Sequence, residues 1–414
     1  MDTKTLRCGL LGRKLGHSYS PAIHERLADY SYRLFEVEPE DLGAFLQEGA
    51  FDGLNVTIPY KKDVIPYCAE LSDTARAIGA VNTLVRRADG TLWGDNTDAY
   101  GFSMLVQSSG ADVAGKKALV FGSGGASATA QYVLRQLGAR EVVVISRHGE
   151  DNYENLDRHV DAQIAVNTTP VGMYPNTGVS PVDLHRLPRL EAALDVVYNP
   201  ARTEFLLQAE ARGLRRANGL LMLAAQAKKS CEDFTGEPVD DAKIFSITKA
   251  LEAQMRNVIL IGMPGSGKTT IGTLVAKRLG RTFVDADSAL EREAGMPIPE
   301  IFRREGEAGF RRRETAVLAE LGRQSGLVLA TGGGSVTREE NYPLLHQNGE
   351  IFCLQRALER LPSAGRPVSQ ALGAQTIYAQ RKPLYARFAD AMIDNNGTPE
   401  AAAAQILEVL GCSC

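Results

Sequence analysis

The chain has 414 residues, room for two to four domains at roughly 100–200 residues each. Apolar residues make up 44% and charged residues 23%, which excludes the disordered and fibrous classes. With Lys+Arg at 46 and Asp+Glu at 50 the net charge is −4, too near neutral for a nucleic-acid surface or a polybasic membrane face.

Short apolar strands alternate with amphipathic helices from end to end, which predicts an α/β fold. Four polar motifs come first, where loops and strand ends are expected: HSYSP (17–21), NVTIPYK (55–61), GAVNT (79–83) and GDNTD (94–98). Ser20 and Pro21 suit the N-cap and N1 positions of a helix over 21–28. His17 reads as a structural imidazole, Asn82 and Asn96 as turn residues, and Lys61-Lys62 as a solvated charge pair. A buried strand at 118–121 then enters the glycine-rich turn GSGGAS (122–127). The helix that leaves it carries Ala130, Val133, Leu134 and Leu137 on one face and stops at Gly138.

Such a turn serves either a dinucleotide or a tight strand–helix corner. The next strand, 142–145, ends in Ser146-Arg147, where an NAD enzyme would carry an acidic residue for the ribose 2′-hydroxyl. Arg147 can pair with a 2′-phosphate, so NADP is expected. Some sixteen residues separate Arg147 from a strand at 164–166, so the adenosine side should be trimmed. No His, Cys or carboxylate spacing in this half suits a metal.

Three further segments follow: NTTPVGM (167–173), DVVYNP (195–200) and NGLLMLAAQA (218–227). In order and spelling, these segments and the four polar motifs resemble shikimate dehydrogenase over Arg7 to Met255. That resemblance implies that Ser18, Ser20 and Tyr198 bind the substrate carboxylate. Asn55, Thr57, Asn82, Asp98 and Gln226 would hold ring hydroxyls, and Lys61 with Asp98 would form the catalytic pair, Lys61 as proton donor. Gly122, Gly124, Gly125, Ala126, Ser146, Arg147 and Gly219 are the expected NADP(H) contacts.

An acidic stretch at 231–241 is followed by a helical pattern at Ile244, Ile247, Leu251 and Met255, and the junction near Arg256 leaves no flexible linker. A buried strand at 258–261 enters GMPGSGKT (262–269), which fits the P-loop pattern in its strand–turn–helix setting. Its helix shows Ile271, Leu274, Val275 and Leu279 and stops at Gly280. Gly262, Gly265, Ser266, Gly267, Lys268, Thr269 and Thr270 should bind ATP, with Lys268 on the phosphates and Thr269 suited to Mg²⁺. Strand alternation places Asp285 and Asp287 on one side of a strand end. Arg311-Arg312-Arg313, Gly332-Gly333-Gly334 after a strand at 327–330, Arg366 in a Pro/Gly/Ser segment, and Arg381 opening a helical stretch complete the set.

These motifs (GMPGSGKT, FVDAD, GFRRRE, GGG, GRP, QRKPLY) resemble shikimate kinase over 257–410. The resemblance implies Asp287 as the base, Asp285 with Thr269 on Mg²⁺, Arg311 and Arg381 on the substrate carboxylate, Gly332–Gly334 along the ring, and Arg366 as a lid arginine. The lid, 361–366, looks abbreviated.

The expected architecture is therefore a two-subdomain dehydrogenase-like unit followed by a P-loop kinase domain (256–414). The first would comprise a substrate subdomain (1–103, with a helical return at 220–255) and a Rossmann NADP-binding subdomain (104–219). The implied chemistry is NADPH-dependent reduction of 3-dehydroshikimate, then ATP/Mg-dependent phosphorylation of shikimate. A quinate-preferring first half is an alternative. A catalytically silent metabolite sensor is another, though it predicts loss of Lys61, Asp98, Lys268 or Asp287, and all four are present. The six Cys include no CxxC pair and read as thiols of a reducing compartment. No signal-peptide core and no apolar run of ~18 residues is seen, so a cytoplasmic protein with small-molecule partners is expected, without nucleic acid or membrane. This reading is compatible with a homodimer.

Overall fold

The computed structural model describes residues 6–16, 18–361 and 373–412. His17 and Arg366 lie outside them. Contacts divide the chain into two compact units. One is Met1–Gly172, Val179–Tyr198 and Phe205–Leu251; the other is Met173–Gly178, Asn199–Glu204 and Glu252–Cys414.

The first unit holds two sheets. One contains β1 (Arg7–Gly12), β2 (Ser31–Glu36), β3 (Gly53–Val56), β4 (Cys68–Leu71), β5 (Thr83–Arg86) and β6 (Leu92–Asp95), in the order β2-β1-β3-β5-β6-β4. Only β5 runs antiparallel to its neighbours. The other contains β7 (Lys117–Phe121), β8 (Glu141–Ile145), β9 (Ile164–Asn167), β10 (Ala192–Asp195) and β11 (Arg215–Ala217). Its order is β11-β10-β9-β7-β8, all parallel. Strands β7 and β9 are buried along their whole length, as expected of parallel strands covered on both faces. The chain turns from one side of β7 to the other after β8, so the glycine-rich turn at the end of β7 lies at a topological switch point.

The second unit is built on β12 (Asn257–Ile261), β13 (Phe283–Asp285), β14 (Val328–Ala330), β15 (Gly349–Gln355) and β16 (Ala391–Asp394). These lie parallel in the order β13-β14-β12-β15-β16, which sets the P-loop after β12 at the second switch point. Both glycine turns lead into helices whose apolar stripes fill the core. Ala130, Val133 and Leu134 do so in helix Gly125–Gln136, and Ile271, Val275 and Ala276 in helix Lys268–Leu279. These helices end at Gly138 and Gly280, with φ of 81° and 65°.

Three local expectations are corrected. Helix Ser20–Leu27 starts one residue early with Tyr19 at its cap, and Ser18 Oγ accepts the Ser20 N–H at 3.2 Å, so Ser20 is no cap. Asp287 lies in the first turn of helix Ala286–Ala294, because Asp285 caps that helix and ends the strand. Arg381 lies mid-way along helix Ala374–Phe388. Between β8 and β9 the chain makes a 3₁₀ turn, Leu156–His159, and no α-helix. No described helix is long and apolar enough to cross a membrane.

Two candidate active sites

In the first unit, Lys61 follows β3 in a turn whose position is fixed by Val81 N–H donating to the Lys61 carbonyl at 2.7 Å. Its Nζ reaches Asp98 Oδ2 at 2.5 Å. Asp98 opens helix Asp98–Ser109, where the helix dipole favours a carboxylate, and its side chain is only 6% exposed against 23% for Lys61. Asn82 Nδ2 donates to Asp98 Oδ1 at 2.9 Å, and Asn82 Oδ1 accepts the Thr97 N–H at 2.7 Å. One face of the lysine ammonium is thus left for a ligand, while the carboxylate is held from two sides.

Behind this pair lies a buried polar network. The hydroxyls of Thr83, Thr97 and Ser230 lie 3.0–3.2 Å apart. Asn55 Nδ2 donates to Ser230 at 2.7 Å, and Tyr32 OH donates to Asn55 Oδ1 at 2.8 Å. Such a network orients both amides before any ligand arrives. Sequence reasoning missed Tyr32, Thr83, Thr97 and Ser230. Thr83 and Thr97 stand inside motifs that were singled out, and Ser230 falls one helical turn after Gln226; nothing in the sequence points to Tyr32. Thr57 follows β3 with its N–H on the Leu11 carbonyl at 2.9 Å, and Gln226 lies half-buried on helix Leu220–Thr235. The Tyr19 and Tyr198 rings meet edge-on with centroids 6.1 Å apart, bringing the Ser18–Ser20 segment beside Tyr198, whose phenol burial pushes up in pKa.

The glycine turn opens beside the lysine. A Cβ at Gly125 would meet only the Lys61 stem, at 4.0 Å, and one at Gly124 would meet nothing. This is a cradle that a dinucleotide backbone fits and that side chains would fill. Gly122 is tight for another reason: its φ is 108°, and a Cβ would lie 2.9 Å from Thr168 Oγ1. Gly219 packs against the Val196 carbonyl, which accounts for it without a ligand. Ala126 lies in the first turn of the helix that follows. Ser146 and Arg147 follow directly on β8, and Arg147 is exposed with no ion pair among the described residues.

In the second unit the P-loop wraps on three glycines with positive φ: Gly262, Gly265 and Gly267. Lys268 Nζ bonds the Gly262 and Met263 carbonyls at 3.0 and 3.1 Å, and Asn395 Nδ2 anchors the Ser266 carbonyl at 2.5 Å. Thr270 is exposed at the start of the following helix. Thr269 Oγ1 donates to Asp285 Oδ2 at 2.8 Å. Among the described residues no three His, Cys, Asp or Glu side chains converge for a metal. Mg²⁺ needs no such set, since phosphate and water fill most of its shell, and this hydroxyl–carboxylate pair suits it.

Asp287 is pushed up to about 6 by burial, then by Asp285 and Glu314. Glu314 Oε2 bonds Arg311 at 2.7 Å, and burial raises the Glu314 carboxyl. A Cβ at Gly332 would lie 2.5 Å from Glu314 Oε1 and 2.9 Å from Asp287 Oδ1, while one at Gly334 would run into the Arg311 guanidinium. The Gly333 carbonyl accepts from Arg381 at 2.9 Å and from Tyr385 at 2.5 Å. Arg311 and Arg381, both buried, and the bare glycines Gly332–Gly334 therefore line one cavity of about 640 Å³ with the P-loop, Asp287 and Glu314 among its carboxylates. Of the arginine triplet only Arg311 faces it; Arg313 turns to Glu305 at 2.8 Å. Glu314 and Tyr385 were missed, although the i,i+3 spacing from Arg311 to Glu314 was a readable signal.

A family profile described as shikimate kinase matches residues 264–411, and one described as shikimate dehydrogenase substrate binding domain matches 10–84. The chain is 36% identical over 267 residues to a shikimate dehydrogenase (NADP(+)) of Clostridium perfringens, covering 59% of this chain and 98% of that one. A crystal structure of shikimate 5-dehydrogenase from Thermus thermophilus with NADP(H) and shikimate superposes with a TM-score of 0.54. It is 33% identical and covers 59% of this chain and 99% of that one. Quinate dehydrogenase from Corynebacterium glutamicum with NAD also gives 0.54, at 27% identity, covering 58% and 98%.

Proposed function

We propose that this chain, which belongs to the shikimate dehydrogenase family over its first three-fifths and carries a shikimate kinase domain behind it, performs two consecutive reactions. It reduces 3-dehydroshikimate to shikimate with NADPH, then phosphorylates shikimate with ATP. The observation that carries this is that both reacting sets are assembled in one chain: Lys61–Asp98 at 2.5 Å beside the glycine turn, and Asp287 in the P-loop cavity.

In the first site Ser18, Ser20 and Tyr198 hold the substrate carboxylate, and Asn55, Thr57, Asn82 and Gln226 its hydroxyls. The nicotinamide, when bound, supplies the hydride; Gly124, Gly125, Ser146 and Arg147 would hold its dinucleotide. Lys61 donates a proton from Nζ to the oxygen formed at C3 and is re-protonated from solvent, while Asp98 aims the ammonium. In the second site Arg311 and Arg381 grip the carboxylate, and Gly332–Gly334 let the ring lie close. Asp287 accepts the proton of the attacking hydroxyl. Lys268 neutralises phosphate charge, and positioning with charge neutralisation supplies most of the rate. Mg²⁺ bound at Thr269 and Asp285 would add a further neutralising charge.

A quinate-preferring first site is the second reading, favoured by the quinate dehydrogenase neighbour. Arg147, where an NAD enzyme carries a carboxylate, speaks against it. The deciding experiment supplies 3-dehydroshikimate, NADPH, ATP and Mg²⁺ to the purified chain and follows NADPH oxidation and phosphate-ester formation separately. Both signals are expected. Oxidation without ester removes the second reaction, and faster turnover of quinate with NAD⁺ than of shikimate with NADP⁺ replaces the first.

A further inference from the structure

We propose that Arg356 is an additional phosphate ligand of the nucleotide in the second unit, acting from a strand end. The proposal rests on the P-loop as the ATP site. Strand β15 pairs with β12 in register, Ile261 opposite Cys353, so the residues just past its end emerge beside the P-loop. There the Arg356 guanidinium lies 4.0 Å from the Cβ position of Gly267 and borders the 640 Å³ cavity with Gly265, Lys268 and Thr269. The same side chain walls a smaller cavity of about 260 Å³ floored by Met263, Leu354 and Met392.

Its own bonding is incomplete. Arg356 has no ion pair among the described residues, and its Nε is shielded from solvent without a hydrogen-bond partner. An arginine has five N–H donors and cannot lose its charge, so a shielded donor is costly unless an acceptor meets it. No carboxylate among the described residues does so. A phosphate group fits the planar fork and supplies the missing acceptors. Arg356 follows directly on the end of a sheet strand, so its place beside the P-loop is set by the sheet.

The test uses the full chain with Mg-ADP, followed by calorimetry, so it does not depend on which acceptor is phosphorylated. Arg356→Ala is expected to weaken Mg-ADP binding about tenfold or more, and Arg356→Lys to recover much of the loss because a cation is kept. AMP, which lacks the β-phosphate, should lose far less than ADP. The KM for ATP should rise while that for shikimate stays within about twofold. ADP affinity unchanged in Arg356→Ala, or equal losses for AMP and ADP, overturns the proposal. A wild-type chain that binds ADP but leaves shikimate untouched would sink the kinase reading and leave this inference standing.

Discussion

The ammonium of Lys61 is paired with Asp98 while its stem lies against the glycine turn, so one side chain joins the carboxylate to the proposed dinucleotide cradle. Lys61→Met keeps the stem and removes the donor. It should lower kcat for reduction by about 10²–10⁴ with KM moved little, read by NADPH oxidation at saturating substrate. Arg147→Ala, at the end of β8, should weaken NADPH about tenfold or more and NADH hardly at all. Equal losses for both cofactors would rule out a 2′-phosphate contact. Asp233 shows the opposite economy. Its side chain is 7% exposed and bonded to Lys229 at 2.7 Å, yet one oxygen has no partner, and burial pushes its carboxyl up to about 6. A carboxyl raised in the folded state binds protons that the unfolded chain has released, so folding loses stability as pH rises from about 4 through 6. Asp233→Asn should therefore stabilise the first unit by about 1–2 kcal/mol at pH 8 and by little at pH 4, measured by urea denaturation at the two pH values. A gain independent of pH would mean that burial of the charge is not what costs stability there.

Helices Asp98–Ser109 and Leu220–Thr235 carry Asp98 on one side and Gln226 and Ser230 on the other, so their spacing sets the proposed substrate site. They meet at Gly101, where a Cβ would lie 2.6 Å from the Met222 carbonyl and 3.2 Å from Gln226 Cβ. Gly101→Ala should separate the helices, costing about 1–3 kcal/mol and raising KM for 3-dehydroshikimate. Gly124→Ala, which meets no atom, should leave the midpoint unchanged and raise KM for NADPH only. The contrast, measured by denaturation and steady-state kinetics, separates a packing glycine from a cofactor glycine. At this scale the strand–turn–helix units were legible, because Ala118–Phe121 and Val258–Ile261 are unbroken apolar runs entering glycine turns. What could not be read was the change from strand to helix at Asp285, since a three-residue strand offers no periodicity and its cap looks like any aspartate. The hydroxyl triad was equally hidden. Thr83 and Ser230 are 147 residues apart, and only the tertiary fold brings them to 3.0 Å.

Each unit holds its own cores. Val120, Val166 and Leu194 fill one in the first unit, and Ile259, Leu329 and Ile351 fill one in the second. The proposed reacting set of each reaction lies within one unit, Lys61 and Asp98 in the first and Asp287 and Lys268 in the second. Lys61→Met should therefore cut reduction while shikimate phosphorylation persists within about twofold, and Lys268→Ala should do the reverse. Separate cores also predict that heating the chain gives two transitions. A ligand that binds only one folded unit raises only that unit's transition, by RT ln(1 + [L]/Kd), about 2.7 kcal/mol at a hundredfold excess over Kd. For units of this size that is a shift of roughly 5 °C or more. NADP⁺ should move one calorimetric peak and Mg-ADP the other. In the Lys268→Ala chain the Mg-ADP shift should shrink while the NADP⁺ shift stays. A single peak that both ligands move together would show one cooperative body, in which a mutation at either site is felt at both.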